Sequence, residues 1–430
     1  MTLSLGSLDE YLSQIPNNMI VRHEAPVDTD YTPSRLIREA EKRENIILFK
    51  VKGYEPLVVA NLIPSRRILY QALGVKDDIE AYSRLLEAYN IEEESVDYGE
   101  FSNYFKPLEE NWIRMLPALK FYKGDGGPYI TSSIIIACLE SICNASIHRM
   151  MRISERKYAV RVVPRHLHYM LKTMEAKGKG LPVAIVIGVH PLVELAAAMS
   201  PPYGVFELLV ASKLLGGLKL CRTQLFSIPV PCGSSIVIEG VLGPERAKEG
   251  PFVDLLGLYD AVRLEPVLVV HRVYVNRKHR VFFRVILPGG LEHKLLMGFP
   301  REAQVYHSVA RVVPSVKKVR LTMASGMWLH AVISIKKQHE GDAKNAGLAA
   351  LAAHTSLKHV IVVDDDIDPD DPWQLEWAIA TRFRADRDLV VINNVRGSTL
   401  DPYSPDGLTT KLIIDATAPL ADKERFSRVE

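Results

Sequence analysis

The hydrophobic pattern of the first hundred residues alternates between helical and strand-like stretches. Apolar residues recur at helical spacing near residues 34–43 and across residues 64–90, whereas residues 46–51 form a short apolar run typical of a strand. An acidic run at residues 92–100, followed by Pro107, interrupts this pattern. We therefore predict an N-terminal α/β domain over residues 1–107.

The middle of the chain changes to a pattern dominated by strands. The predicted elements are a strand at 181–189, helices at 190–199 and 206–215, a strand at 234–240, and a β-hairpin formed by 267–275 and 280–287. Pro191 in the first turn marks the start of the first helix, and Gly216-Gly217 marks the end of the second. The tetrapeptide Asn-Arg-Lys-His suits a four-residue hairpin loop. The pattern predicts a small β-rich domain with inserted helices over residues 108–298.

The last third returns to alternating helices and strands. The predicted elements are a helix at 301–313, strands within 316–336, an alanine-rich helix at 342–353, a strand at 359–363 and a helix ending at Arg382. Asp371 followed by Pro372 is an N-cap and first-turn pair that marks the start of the last helix. We predict a C-terminal α/β domain over residues 299–430, which makes the chain a mixed α/β (α+β) protein.

Composition excludes several classes of function. With 53 basic and 51 acidic residues, the net charge of +2 offers no long-range field for nucleic acid or for an anionic membrane. No apolar run approaches the ~18 residues that span a bilayer, and the N-terminus lacks the features of a signal peptide. We expect a cytoplasmic protein whose cysteines lack metal-site spacing and are reduced, buried thiols: Cys138, Cys143, Cys221 and Cys232.

Three polar residues of the middle region have side chains that suit a hard divalent ion. Asn144 offers an amide oxygen, Glu207 a carboxylate and His166 an imidazole. Oxygen ligands suit Mg²⁺ or Mn²⁺, and the imidazole shifts the preference towards Mn²⁺. Spacing alone leaves structural roles open, since these residues also suit a turn cap, a first-turn helix carboxylate and a buried core histidine.

A second group of residues suits proton chemistry. Glu249 and Asp254 flank Gly-Pro-Phe-Val, which is incompatible with a helix interior and predicts a tight loop. Two carboxylates held close together differ in proton affinity, and one of them can serve as a general acid. Arg149 can bind a carboxylate or a phosphate through two hydrogen bonds, although it shares neither a helix face nor a strand face with Asn144. Capping residues and a surface ion pair are the structural alternatives.

Two further polar features carry less information. The acidic run Asp364-Asp-Asp-Ile-Asp368 follows a predicted strand and leads into a capped helix, so a structural or interfacial role suits it better than a metal site. Lys411 could reach a phosphate from a C-terminal strand or loop. The sequence contains no P-loop, no nucleophile elbow and no glycine fingerprint of a dinucleotide site.

In this order, the motifs resemble the UbiD family of prenylated-flavin-dependent decarboxylases. They are Asn144-x4-Arg149, Pro-x-His166, Pro-Tyr-Gly-Val-Phe-Glu207, Ile-Val-Ile-Glu-Gly240, Glu249-Gly-Pro-Phe-x-Asp254, Val-Val-Asp-Asp-Asp-Ile-Asp368 and Lys-Leu-Ile-Ile-Asp-Ala-Thr417. The likeness runs from about residue 140 to residue 417, and the residues before it are compatible with the family but uninformative.

The resemblance implies a fold, a cofactor and a set of ligands. The fold would be an N-terminal α/β domain, a central split β-barrel of the flavin-reductase type and a C-terminal α/β domain used in oligomerisation. The cofactor would be prenylated FMN, supplied by a flavin prenyltransferase and bound through its phosphate to Mn²⁺ and K⁺. By position, the metal ligands would be Asn144, His166 and Glu207. The cofactor contacts would be Ile147, His148, Arg149, Arg165, His166, Ala198, Met199 and Lys411, with alanine at 198 where some members have serine.

The resemblance also implies the catalytic residues. Arg149, Glu249 and Asp254 match the Arg-Glu-Glu/Asp set of the family, and the aspartate follows the ubiquinone-type branch, whereas other members have glutamate there. Asp254 would transfer the proton, Glu249 would tune the acidity of Asp254, and Arg149 would orient Glu249 and the substrate carboxylate. The reaction would be a non-oxidative decarboxylation of an α,β-unsaturated acid by a homodimer or larger homo-oligomer.

The substrate implied by the resemblance is trans-anhydromevalonate 5-phosphate, which loses CO₂ to give isopentenyl phosphate. The compact length and the Leu-Gly-Leu-Tyr-Asp260 that follows the acidic loop are similar to the archaeal branch of the family. A phosphorylated substrate needs cationic partners, so we expect at least one of His148, Arg152 and Arg156 at the mouth of the pocket. The alternatives are a decarboxylase of a 4-hydroxybenzoate-type aromatic acid in quinone synthesis and a non-catalytic assembly or binding relative.

Overall fold

The computed structural model of the 430-residue chain describes residues 4–91, 96–426 and 428. Two compact units make up the chain: the first comprises Met1–Asp254 and Leu258–Leu296, and the second comprises Leu255–Gly257 and Met297–Glu430. Residues 92–95 of the acidic run, which suggested the boundary near 107, lie outside the described residues. The division into 1–107, 108–298 and 299–430 therefore stays a prediction.

Most of the strands lie in the first unit. In chain order they are β1 (Ile20–Val27), β2 (Ile46–Val51), β3 (Leu57–Ala60), β4 (Tyr98–Gly99), β5 (Phe105–Leu108), β6 (Tyr129–Leu139), β7 (Ile142–Arg152), β8 (Lys157–Val160), β9 (Leu181–Ile187), β10 (Leu220–Arg222), β11 (Pro229–Pro231), β12 (Ile236–Glu249), β13 (Phe252–Val253), β14 (Tyr259–Asp260), β15 (Arg263–Asn276) and β16 (Phe282–Val285). The strands of the second unit are β17 (Val316–Leu321), β18 (His330–Ile335), β19 (His359–Asp364), β20 (Leu389–Arg396) and β21 (Leu408–Ala416).

Several of the helices begin or end close to the positions that the sequence signals predict. They are α1 (Leu8–Gln14), α2 (Thr32–Glu41), α3 (Arg66–Leu73), α4 (Asp78–Glu87), α5 (Phe101–Tyr104), α6 (His166–Ala176), α7 (Pro191–Met199), α8 (Glu207–Leu215), α9 (Leu291–Ala310), α10 (Asp342–Ala353), α11 (Pro372–Arg382) and α12 (Ala385–Asp388). Gly216 ends α8 in the left-handed conformation, and the Asp371 side chain accepts from the first backbone N–H groups of α11, as predicted.

A closed barrel of six antiparallel strands forms the centre of the first unit. Its strand order is β12-β9-β6-β7-β8-β15, and β15 pairs again with β12 to close it. The two 14-residue strands β12 and β15 make this possible because each is long enough to pair with two neighbours. At Gly240, where the register between them shifts, a Cβ atom would lie 2.5 Å from the Val269 carbonyl oxygen. The mixed fold class and the central barrel are confirmed.

The remaining sheets are smaller. In the first unit, β1, β2, β3 and β16 form a four-stranded sheet in that order. In the second unit, the order of the five-stranded sheet is β17-β18-β19-β21-β20, and α10 packs on its central strands. Among the described residues, no helix combines the length and the apolar character that crossing a membrane requires.

Two sequence predictions about local structure are wrong. Residues 267–275 and 280–287 do not form a hairpin, because β15 pairs with β12, β8 and β5, whereas β16 pairs with β3. Helix α9 begins at Leu291, ten residues before the predicted start at 301. The Glu41 carboxylate accepts from the Leu291 N–H at 2.7 Å and stabilises this early start, and the helix continues through Pro300.

The cysteines are also corrected. Cys138 is joined to Cys143, and Cys221 is joined to Cys232, in two disulfides. The first pair lies directly opposite in the β6–β7 ladder, a proximity that depends on strand register and is invisible in cysteine spacing. The expectation of reduced thiols is wrong. Intracellular proteins of hyperthermophiles can contain disulfides, so the cytoplasmic location stays a prediction.

A buried ion cluster joins three elements of the first unit. Arg284 of β16 binds Glu194 of α7 at 3.0 Å and Glu292 of α9 at 2.5 Å, and all three side chains are at most 3% exposed. Glu292 also accepts from the N–H groups of Asn61 and Ile63. Burial, reinforced by Glu292, raises the pKa of Glu194 to about 7, with Arg284 acting in the opposite direction.

We expect the Arg284→Met variant to lose about 3–5 kcal/mol in the free energy of unfolding, because it leaves two buried carboxylates without their shared cation. Chemical denaturation followed by circular dichroism measures this loss. Lys42→Met is the control, since the pair Lys42–Glu39 is solvent-exposed and its removal should leave the denaturation midpoint in place. Equal midpoints for the two variants would contradict the structural importance of the cluster.

Candidate active site

Strand β7 carries one residue of each of two polar centres: Asn144 belongs to the first and Arg149 to the second. Asn144 and Arg149 are five residues apart on it, a spacing that places two side chains on opposite faces where a strand is regular. Their α-carbons are about 17 Å apart at the usual rise of a strand. The ladder of β7 with β6 is in regular register from Cys143 to His148 and shifts between His148 and Met150. Asn144 therefore lies in the regular part of the strand, and Arg149 lies at the irregularity.

The first centre joins Asn144 to Glu207. The Asn144 amide donates to Glu207 Oε1 at 2.7 Å, and the backbone N–H of Ala145 donates to Oε2 at 2.7 Å. Glu207, the first residue of α8, is 2% exposed, and among the described residues no lysine or arginine pairs with it. Burial raises the pKa of Glu207 to about 7, although both hydrogen bonds act to lower it.

This centre fits a divalent cation. A buried carboxylate without a basic partner is costly to ionise, and a bound cation would favour its charged form. Asn144 adds an amide oxygen, which now accepts from the Ser146 hydroxyl at 3.1 Å. These are hard oxygen ligands of the kind that Mg²⁺ and Mn²⁺ bind. In the part of the chain that the structure describes, no three His, Cys, Asp or Glu side chains converge as metal ligands.

Among the described residues, no hydrogen bond joins His166 to Asn144 or Glu207. It is the first residue of α6, and its ring meets the ring of Tyr203 edge to face at 5.3 Å. Tyr203 precedes Glu207 by four residues. The role of His166 as a metal ligand stays a prediction.

Four of the predicted cofactor contacts cluster near the start of α6. The guanidinium of Arg165 donates to the Ser200 hydroxyl at 2.9 Å, and Ser200 directly follows Ala198 and Met199 at the end of α7. Arg165 and His166 stand at the N-terminus of α6, where the helix favours an anion such as a phosphate. The fold thus brings together residues that are more than thirty positions apart in the sequence.

The second centre is a buried pair between Arg149 and Glu249. The guanidinium donates from Nε and Nη2 to the two carboxylate oxygens at 2.8 and 2.9 Å. Glu249 is fully buried, and the ring of Phe252 covers the guanidinium at 4.6 Å. Burial acts to lower the pKa of Arg149, but Glu249 and nearby Asp260 hold it above its ordinary value. Sequence reasoning placed these two residues in one site, and the structure brings them into direct contact.

Asp254 lies at the tip of the hairpin that follows. Phe252 pairs with Asp260 and Val253 with Tyr259, so Asp254 begins the turn between β13 and β14. Its backbone N–H donates to the Leu258 carbonyl at 2.9 Å, and its Oδ1 accepts from the Leu258 N–H at 3.3 Å. The side chain is mostly buried. The predicted tight loop is present, with a cis bond between Gly250 and Pro251.

Three residues of this centre were missed by sequence reasoning. Asp260 accepts from Arg149 Nη2 at 3.2 Å. Tyr129 hydrogen-bonds Glu249, and its pKa is raised by burial and by that carboxylate. Burial and the charge of Arg149 lower the pKa of His293 to about 4, so this ring is neutral. For Asp260, the one local signal was its position in a short hairpin, where it pairs with Phe252.

His148 does not supply the expected cationic rim, and for Arg152 and Arg156 the expectation stays a prediction. His148 is buried between Ser146 and the carbonyl of Arg161, and burial lowers its pKa to about 4, so it is neutral. Arg152 donates to Tyr54 and to the Leu116 carbonyl. Arg156 lies over the ring of Trp112. His148 therefore gives no support for a phosphorylated substrate.

For two of the predicted cofactor contacts, Ile147 and Lys411, the structure neither supports nor contradicts a role in cofactor binding. Ile147 is half-buried on the same face of β7 as Arg149. Lys411 of the second unit is buried, its Nζ donates to the Thr355 carbonyl at 2.7 Å, and burial lowers its pKa. Both assignments stay predictions.

Comparison with known families identifies the chain. Residues 100–291 match the Rift-related domain of 3-octaprenyl-4-hydroxybenzoate carboxy-lyase, UbiD, and residues 294–416 match the C-terminal domain of the same family. The chain belongs to the UbiD family. It is therefore a carboxy-lyase, and the resemblance drawn from its motifs is confirmed.

Individual relatives cover nearly the whole chain. The anhydromevalonate phosphate decarboxylase of Aeropyrum pernix is 46% identical over 96% of this chain and 93% of its own length. The UbiD-class enzyme HmfF from Pelotomaculum thermopropionicum, in complex with FMN, is 36% identical, with a TM-score of 0.93 over 99% of this chain and 97% of that one. An evolved dimeric form of HmfF, in complex with prenylated FMN, has a TM-score of 0.89 at 33% identity over the same shares.

Proposed function

We propose that this UbiD-family enzyme decarboxylates trans-anhydromevalonate 5-phosphate to isopentenyl phosphate with prenylated FMN as cofactor. The assignment of the substrate rests on the 46% identity, over nearly the full length of both chains, to the anhydromevalonate phosphate decarboxylase of Aeropyrum pernix. The Arg149–Glu249 pair, with Asp254 on the next hairpin, supplies the groups that the reaction needs.

The two centres on β7 suit the two ends of one flavin mononucleotide. Arg165, the N-terminus of α6 and a cation on Asn144 and Glu207 would hold the phosphate. The ring system would then extend along the strand towards Arg149. FMN and prenylated FMN are bound in the HmfF structures, which supports this placement. Mn²⁺ and K⁺ are the cations of the proposal.

The protein's own contribution is orientation and proton transfer. When bound, prenylated FMN supplies the electrophile and the electron sink for the loss of CO₂. Arg149 orients Glu249 and binds the substrate carboxylate, because its fork-shaped guanidinium matches carboxylate geometry. Asp254 gives a proton to the carbon that carried the carboxylate. Phe252 and Tyr129, whose rings are 4.3 Å apart, cover this centre from water.

The proposal includes two partners. A flavin prenyltransferase would supply the cofactor, since prenylated FMN is made before it is bound. A second copy of the chain would complete a homodimer or a larger homo-oligomer, as the dimeric form of HmfF suggests.

An aromatic acid of the 4-hydroxybenzoate type is the second candidate substrate. The rings of Phe252 and Tyr129 beside Arg149 favour a flat aromatic acid, and His148 is neutral.

Product analysis separates the two substrates. The enzyme co-expressed with a flavin prenyltransferase is incubated with anhydromevalonate phosphate or with 4-hydroxybenzoate, and products are measured by mass spectrometry. We expect isopentenyl phosphate from the first and a kcat/KM at least about 10²-fold lower for the second, because a site built for the first acid would leave its polar groups unpaired with the second. Enzyme from cells without the prenyltransferase is the control and should be inactive. Turnover of the aromatic acid alone would overturn the proposed substrate.

A further inference from the structure

Asp260 is a buried carboxylate that shares the Nη2 nitrogen of the proposed catalytic arginine with Glu249. Its Oδ2 accepts from Arg149 Nη2 at 3.2 Å, and the same nitrogen donates to Glu249 Oε2 at 2.9 Å. Its Oδ1 binds Arg263 Nη1 at 2.6 Å. Arg149 therefore binds two carboxylates, Glu249 through Nε and Nη2 and Asp260 through Nη2, while Phe252 covers a face of the guanidinium.

The charge balance around Asp260 keeps it ionised. Burial acts to raise its pKa, but Arg263 and Arg149 hold the pKa of Asp260 below its ordinary value. An ionised, hydrogen-bonded carboxylate cannot serve as the proton donor near neutral pH. Its chemistry is to hold a guanidinium in one plane and to lend negative charge to the site.

We propose that Asp260 is a positioning residue, which fixes the Arg149 guanidinium so that Glu249 and the substrate carboxylate meet it in the reactive orientation. This inference rests on the proposed function. A bidentate pair leaves the guanidinium free to swing with its partner, and the second carboxylate removes that freedom. The effect of Asp260 on the reaction passes through Arg149, whose displacement by about 1 Å can cost about 10²-fold in rate.

Glu265 is a nearby buried carboxylate that serves as a comparison for Asp260. It binds Arg161 at 2.5 Å and accepts from the Val162 N–H, and it is as buried as Asp260. Arg161 lies 3.9 Å from Asp260, so Glu265 belongs to the same patch of charges. Unlike Asp260, it makes no hydrogen bond to Arg149 among the described residues. This makes it a matched control.

The test compares Asp260→Asn, Asp260→Glu and Glu265→Gln in the holoenzyme, with kcat and KM measured across pH. Asp260→Asn should retain the flavin and lose about 10²-fold in kcat. The acid limb of its pH profile should move to lower pH, because removing a negative charge makes neighbouring carboxyl groups easier to ionise. Asp260→Glu keeps the charge and should restore the position of that limb. Glu265→Gln should lower the melting temperature without moving the limb.

The position of the acid limb depends on the titratable and charged groups around Asp260 and the Arg149–Glu249 pair. Besides Arg149 and Glu249, they are Asp125, Tyr129, Arg161, Arg263, Glu265 and His293. A substitution of Arg263 removes a positive charge and should shift the pH profile in the opposite direction. The fold should tolerate it, since the Arg263 side chain is partly exposed. Arg263→Gln should move the acid limb to higher pH, and this decides the question if Asp260→Asn does not fold.

The outcomes separate this inference from the proposed function. An inactive wild-type holoenzyme would reject the proposed function itself. An active wild type whose Asp260→Asn or Arg263→Gln variant keeps the same kcat and the same acid limb would reject the positioning role. If Asp260→Asn and Glu265→Gln lose kcat equally and neither moves the acid limb, Asp260 has only a structural role. That result would also overturn the inference.

Discussion

The Asp254→Asn variant should retain its flavin and lose about 10²- to 10⁴-fold in kcat. The amide has nearly the shape of the carboxyl group, and its Oδ1 can still accept the Leu258 N–H that holds the turn at 3.3 Å. It cannot deliver a proton as a carboxylic acid does. Steady-state turnover at saturating substrate, with the visible absorption of the bound flavin recorded on the same sample, measures both parts of this expectation.

Two controls accompany this variant. Asp254→Glu keeps an acid on the hairpin, in the form found in other members of the family, and should lose less turnover than Asp254→Asn. Asp365→Asn removes a partly exposed carboxylate of the second unit and should leave turnover unchanged. Near-normal turnover in Asp254→Asn would reject its role in proton transfer, whatever the controls show.

Helix boundaries were predictable from sequence because their signals are local. The start of α11 at Pro372 follows from the capping aspartate one residue earlier, and the end of α8 follows from Gly216 in the left-handed conformation. Each signal acts within one helical turn and needs no knowledge of the rest of the fold. The start of α9 was missed because its stabilising carboxylate, Glu41, is 250 residues away in the sequence.

Strand partners were not predictable from the same patterns. An apolar run shows that a segment is buried, but its period does not identify the neighbour with which it pairs. Residues 282–285 read as the second arm of a hairpin, yet they pair with β3, more than two hundred residues earlier. The disulfide between Cys138 and Cys143 was missed for the same reason, since it depends on cross-strand register.

The candidate site was predictable where it rests on residue order and missed where it rests on packing. The family resemblance brought Arg149 and Glu249 together across 100 residues, and the structure shows their direct contact. Asp260 joins them only because the short β13–β14 hairpin returns it opposite Phe252. His148 was wrongly expected to be cationic because burial makes it neutral, and sequence alone does not report burial.

The Glu207→Gln variant should abolish stabilisation by Mn²⁺ and release the flavin on gel filtration. Glutamine keeps an oxygen that can accept the Ala145 N–H, and it removes a buried negative charge that lacks a basic partner among the described residues, so the variant should fold. Without that charge, Asn144 alone is a poor ligand. At a Mn²⁺ concentration of about 100 times Kd, the wild type should gain about 2.7 kcal/mol. Thermal unfolding of the flavin-free protein, with and without Mn²⁺, measures this gain independently of activity.

Glu239→Gln is the matched control for this experiment. Glu239 is also fully buried in the first unit and also lacks a basic partner among the described residues, but it accepts from the N–H groups of Leu225 and Phe226 and from the Tyr274 hydroxyl. It therefore has the burial of Glu207 without a neighbouring amide oxygen to share a cation. Its variant should melt earlier than the wild type and still gain stability from Mn²⁺. If Glu207→Gln gains as much as Glu239→Gln, the cation binds elsewhere, and the phosphate end of the proposed flavin site loses its anchor on β7.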